Sequence, residues 1–341
     1  MTTTTTSVRK RAATGSLLGL ALGDALGYPT EFIDVRRIEE RHGPWRTMEL
    51  AEPARVSDDT QMTLAVGRAL RTAMNRGVLT PKRLERPLRE EFVDWFGSPE
   101  NNRAPGHTCM VACRRLRDDR VWQDASQINS KGCGANMRVA PLGLAPGLSD
   151  EQRAGAAQLQ SVLTHGHPTA LAASDLTARA VRLLAQGTAP AALVAALRTY
   201  AQDNRTHYHH TWLGDLWTRS ESSSPELFIA HGWDECLRIL DRLQAALDTG
   251  SPETDPCLAT GEGWIAEEAL ATGLLCFLLF PDDPVTALRR AACTAGDSDS
   301  IACLTGAFAG AHLGEDAWPA AWADRIEYRG DLMALGALWD A

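Results

Sequence analysis

At 341 residues, with 44% hydrophobic and 23% charged side chains, the chain has the material for a large packed core and is too apolar for a disordered polymer. A formal charge of −9 disfavours long nucleic acid or an anionic membrane as the main partner, and leaves acidic clusters free to hold cations. The eight cysteines include no C-x-x-C pair and read as reduced, buried thiols of a cytoplasmic protein. Lys10, Lys82 and Lys131 are the only lysines, and with abundant alanine this usage points to a GC-rich bacterial genome.

In chain order, residues 1–13 are Thr-rich and then basic, which predicts a disordered lead before a domain spanning 14–341. Arg9, Lys10 and Arg11 before the apolar run Ser16–Leu22 imitate a secretory signal. Asp24 cuts that run short, and no small-residue cleavage site follows. A helix is expected after Ser57, running to about Asn75. Ser149 and Gln152 form a capping box for a helix running toward Thr164. Pro168 opens the next helix and Gly187 closes it. Glu226–Leu247 repeats apolar residues at helical spacing and ends at Gly250. Glu267–Phe280 is apolar nearly all round and belongs in the core; its run Leu270–Phe280 is too short to span a bilayer. A last helix, Ile301–Leu313, carries Gly306 and Gly310 with Gly314 just beyond, a spacing that predicts close backbone packing on a neighbour. No stretch alternates long enough for a sheet, so the expectation is one compact all-α domain. Phe32–Val56 and Asp94–Gly134 read as loop-rich regions in which function concentrates.

Three acidic clusters stand out. Ser57-Asp58-Asp59-Thr60 has the form of an N-cap with acids in the first turn, favourable to the helix dipole. Gly296-Asp297-Ser298-Asp299-Ser300 exceeds what a cap needs, and alternate carboxylates on a tight loop can converge on a hard cation. Asp24, inside an apolar glycine-rich run, and Glu31, just after it, each need a cation, hydrogen-bond donors or a proton. His207, Tyr208, His209 and His210 form the one histidine cluster and read as a surface loop, because no regular ligand spacing surrounds them.

G-D-A-L-G followed by a glutamate, S-D-D-T-Q-M, G-x-G-x-x-M-R, T-H and G-D-S-D-S, in that order from Gly15 to Gly314, resemble the ADP-ribosylglycohydrolases. The resemblance implies an all-α fold with two Mg²⁺ ions in a central cleft (Mn²⁺ or Ca²⁺ as substitutes) and removal of ADP-ribose from an acceptor. By position it implies Ser57, Asp58, Asp59, Asp297, Asp299 and Ser300 as metal ligands and Glu31 as the catalytic glutamate, with Asp24 orienting ligands. Oxygen-only ligands suit such hard ions rather than zinc. The two cations would hold ribose hydroxyls and position a water, while Glu31 takes a proton from that water, manages the metal opening, or serves only as a structural metal ligand.

The loop Gly132-Cys133-Gly134-Ala135-Asn136-Met137 offers backbone N–H groups to a diphosphate. His165 matches a family position near the substrate, and Trp264 can stack on a base or ribose. Cys133 and Asn136 depart from the residues common in this loop, and Arg103–Thr108 stands where arginine-specific relatives carry an aspartate. The acceptor of the ADP-ribosylated substrate (a protein side chain, nucleoside or small molecule) therefore stays open, and a monomer is expected. Two other readings are a hydrolase of a different N-glycoside and a non-catalytic, crystallin-like relative; the latter predicts lost ligands, whereas every expected acid is present.

Overall fold

The computed structural model describes residues 10–341. Among these residues the architecture is all helical, with only isolated β-bridges and no strand. The helices of eight or more residues are α1 (Ala12–Gly27), α2 (Val35–His42), α3 (Asp58–Asn75), α4 (Pro81–Gly97), α5 (His107–Arg117), α6 (Asp150–Val162), α7 (Pro168–Ala185), α8 (Pro190–Asp203), α9 (Pro225–Thr249), α10 (Ala266–Leu279), α11 (Pro284–Ala292), α12 (Ser298–Leu313) and α13 (Arg329–Asp340).

The centre of the molecule is the pair α1 and α12. Every residue of α1 is buried, as is α12 from Ser298 to Ala311, because neither helix has a polar face to give to water. Their glycines set the distance. A Cβ on Gly306 would overlap the carbonyl of Gly19, and one on Gly310 that of Gly15. Each helical glycine costs about 1 kcal/mol relative to alanine, and backbone contact along the seam offsets it. The pair runs antiparallel, since Gly15 meets Gly310, Gly19 meets Gly306 and Gly27 meets Ser298. Asp24 and Glu31 are thereby brought beside the Asp297–Ser300 loop from the other end of the chain.

The start of α1 is capped from afar. Arg11 supplies no side-chain cap; instead the Asp340 carboxylate accepts from the N–H groups of Ala13 (2.8 Å) and Thr14 (3.0 Å). Ser149 and Gln152 form the expected reciprocal box, Pro168 begins α7, and Gly187 follows its end at φ +90°.

Some expectations need correction. Helix α1 begins at Ala12, inside the lead expected to end at residue 13, while residues 1–9 of that lead lie outside the described residues. The stretch 32–56 contains α2, and 94–134 contains the whole of α5. In α5 the buried positions Cys109, Ala112, Cys113 and Leu116 follow helical spacing once cysteine is counted as apolar. All eight cysteines are buried free thiols, and no described helix is long and apolar enough to cross a membrane.

Candidate active site

The two acidic motifs, 238 positions apart between Asp59 and Asp297 by their numbering, line one cleft. Helix α3 delivers Asp58 and Asp59 from its first turn, with Ser57 as N-cap accepting from the Asp59 N–H at 3.2 Å. Helix α12 delivers Asp299 and Ser300 in the same way, with Asp297 as its cap. Glu31 comes from the turn after α1, which the Thr30 hydroxyl ties to the Ser298 hydroxyl at 3.0 Å. One oxygen each of Glu31, Asp297 and Asp299 falls within 4.8 Å of the others.

Asp24 plays a different part. Its carboxylate accepts from the N–H of Ser57 (2.9 Å), the N–H of Thr60 (3.0 Å) and the hydroxyl of Thr60 (2.5 Å). Those three donors use the carboxylate to hold the first turn of α3 against α1.

Among the described residues, no cationic side chain forms an ion pair with the cluster. The buried arginines nearby are engaged elsewhere: Arg103 with Glu327, and Arg138 with Gln160 and Thr164. One oxygen of Asp59 and one of Glu31 are buried without a hydrogen-bond partner. Burial, followed by repulsion from Asp299, raises Asp24 to about 7 and Glu31 to about 10. Burial raises Asp297 to about 6 against hydrogen bonds from Ser300, and it also raises Asp58, Asp59 and Asp299. Oxygen-only donors, orphaned carboxylate oxygens and unrelieved repulsion together fit hard divalent cations.

The opposite wall is the glycine loop. Gly134 leaves room for the Cys109 sulfur and the His165 ring, which a Cβ would crowd at about 3 Å. His165 is held neutral, its imidazole pushed down to about 3 by burial and then by Arg138. Arg138 donates to the Thr164 oxygen at 2.8 Å, and the Thr164 hydroxyl lies 2.8 Å from Nδ1 of His165 and 3.3 Å from the Ser161 carbonyl. The Nε2 edge of the imidazole faces Gly132 and Gly134. The His165 side chain thus offers the cleft an uncharged hydrogen-bonding edge.

Glu31, Asp58, Asp59, Asp297, Asp299, Ser300, Gly132, Cys133, Gly134, Met137, His165 and Trp264 all line the cleft. Three sequence candidates do not. Ser57 lies buried behind the cleft as a cap. Ala135 and Asn136 turn into the core, where the Asn136 amide donates to the Ala266 carbonyl at 3.0 Å, because the loop closes there as a 3₁₀ turn. Phe32 also lines the cleft and is not among the sequence candidates, and residues 104–109 line it too, of which the sequence singles out 104–108 only for the acceptor. Phe32 is 72% exposed, sits at φ +62° and stacks on Trp264 with ring centroids 5.3 Å apart. Its position directly after Glu31 was the available signal. Among the histidines, His209 is buried rather than on a surface loop and bonds Glu151 through Nδ1 at 2.9 Å, while His207 stays exposed.

Fold and cleft define an all-helical protein with a buried carboxylate site between its first and last thirds. The model of the ADP-ribosylglycohydrolase family matches residues 4–341, and the chain belongs to that family. It is 26% identical over 328 residues to a Rhodospirillum rubrum protein named ADP-ribosyl-[dinitrogen reductase] glycohydrolase, covering 95% of this chain and 92% of the relative. It is 26% identical over 340 residues to the human ADP-ribosylhydrolase ARH3, covering 92% and 88%. A solved structure titled ADP-ribosylglycohydrolase-related protein complex superposes with a TM-score of 0.66 at 24% identity, covering 97% of each chain, a likeness of fold.

Proposed function

We propose that the chain is a Mg²⁺-dependent hydrolase that cleaves the glycosidic bond between ADP-ribose and its acceptor, acting in the cytoplasm. The observation that supports this most is the convergence of five buried or half-buried carboxylates on the cleft, with Asp24 behind them and no cationic side chain among the described residues paired to any of the six. Asp58, Asp59, Asp297, Asp299 and Ser300 would hold two Mg²⁺ ions, with Ser57 setting the turn behind them. When bound, such ions supply positive charge that orients ribose hydroxyls and stabilises developing negative charge.

The remaining work falls to the protein. Glu31 sits at the rim of the cluster with a free carboxylate oxygen; with cations relieving the repulsion that holds its proton, the ionised group can take a proton from the attacking water. The bond from the anomeric carbon to the acceptor breaks and its electron pair leaves with the acceptor. The water oxygen takes its place on carbon, and the proton held by Glu31 passes to the departing atom. His165 offers its neutral Nε2 edge, and the 132–134 loop its backbone, to the ribose hydroxyls or the diphosphate. Trp264, 37% exposed, covers the reacting region.

The test is release of free ADP-ribose from a panel of ADP-ribosylated acceptors, followed by mass spectrometry. The metal-stripped protein is expected to release none, and added Mg²⁺ to restore release. Full release after exhaustive chelation, with no metal detected by elemental analysis, overturns the proposal.

A further inference from the structure

A second hollow, of about 580 Å³, lies beside the first on the far side of Glu31. Glu31, Phe32 and Ala104 line both, so two loops form a thin partition between them. Phe32 (φ +62°) and Ala104 (φ +52°) are two of only four non-glycine residues in the left-handed region among the described residues. Such conformations are costly for side chains with a Cβ, persist only where the surroundings enforce them, and gather at ligand sites. Both sit on this one wall.

Resting on the reading above, we infer that the second hollow receives the leaving group, and that its chemistry selects a nucleobase acceptor over an arginine. The placement follows from Glu31. The scissile bond must lie within reach of that carboxylate, and ADP-ribose occupies the side carrying the aspartates and the glycine loop. The acceptor then leaves on the other side of Glu31.

The selectivity follows from the lining. Tyr28 and Phe32 contribute rings, Pro29 and Pro53 apolar edges, and Arg55 the one cation. The Arg55 guanidinium has no hydrogen-bond or ion-pair partner among the described residues, and Glu31 is the only carboxylate lining the hollow. An arginine acceptor would face like charge and find no second carboxylate. A planar, uncharged heteroaromatic base can stack on the rings and under the guanidinium. Hydrolysis then returns the unmodified nucleoside: the electron pair of the broken carbon–nitrogen bond stays on the base nitrogen, which takes the proton passed from Glu31.

The test uses the full chain loaded with Mg²⁺. Values of kcat/KM are measured for ADP-ribosylguanosine, ADP-ribosylarginine and ADP-ribosylserine, alongside titration of free ADP-ribose. The base-linked substrate is expected to lead the arginine substrate by about tenfold or more. Arg55→Glu should cut the base-linked kcat/KM by about tenfold, chiefly through KM, and raise the arginine substrate relative to it, with ADP-ribose affinity unchanged. A wild-type preference for arginine or serine, or an Arg55→Glu effect equal on all three, overturns the inference while leaving hydrolysis intact. Tight ADP-ribose binding with no cleavage of any substrate defeats the hydrolase reading itself, and this inference with it.

Discussion

Asp24 and Thr60 share a 2.5 Å hydrogen bond that fastens the C-terminal half of α1 to the first turn of α3. The same carboxylate takes the backbone N–H groups of Ser57 and Thr60, so Asp58 and Asp59 are aimed by a residue that does not itself line the cleft. Asp24→Asn turns an amide nitrogen toward at least one of these donors. Mg²⁺ affinity should fall about 10- to 100-fold, as for partners that orient metal ligands. Calorimetric titration giving wild-type affinity would remove Asp24 from this role.

Glu31 and Asp299 should separate under substitution. Glu31→Gln keeps the shape but loses the proton acceptor, so turnover should fall about 10²–10⁴-fold with ADP-ribose binding near normal. Asp299→Asn should weaken metal binding first and recover in excess Mg²⁺. Equal recovery of both variants would make Glu31 a ligand rather than a base.

The carboxylate cluster makes the metal-free protein sensitive to alkali. In the folded state burial, and then repulsion from Asp299, holds Asp24 up at about 7 and Glu31 up at about 10, against ordinary values of 3.8 and 4.5. Between those limits the folded chain holds more protons than the unfolded one, so stability falls as pH rises. With chelator present, these groups are fully stabilising only below about pH 4, and their contribution is lost progressively as pH rises toward 7 and above. Thermal unfolding should therefore show a larger Mg²⁺-induced rise in Tm at pH 7.5 than at pH 5.5. Equal shifts would mean that the ions do not relieve this repulsion.

The seam between α1 and α12 predicts a purely structural failure. In Gly306→Ala the new Cβ meets the backbone of Gly19 rather than a movable side chain. Overpacking of that kind costs about 1–3 kcal/mol or more, to be read from chemical denaturation. A neutral result would show that the two backbones are not in contact.

Much of this was legible in the chain itself. The capping box at Ser149, the prolines and glycines bounding α7 and the glycine spacing of α12 are local signals, and each sits where local chemistry puts it. The acids were visible for the same reason, since an aspartate in an apolar run has no cheap explanation. What escaped depends on distance in sequence. Asp340 capping α1 and Glu327 pairing with Arg103 are contacts across more than 200 positions, with no pattern near either partner. Ala135 and Asn136 were read as lining because the loop is glycine-rich, but which of its side chains turn inward is decided by packing on α10. The left-handed conformations of Phe32 and Ala104 break the rule for side chains with a Cβ, and no residue type announces that.

The most direct measurement of the central claim is a crystal structure with Mn²⁺ and ADP-ribose, using anomalous scattering to place the metal. Manganese is expected among Asp58, Asp59, Asp297 and Asp299, with oxygens at about 2.0–2.6 Å, and the distal ribose between the metal and Glu31. ADP-ribose bound elsewhere, or manganese absent from those four aspartates at saturating concentration, would contradict it.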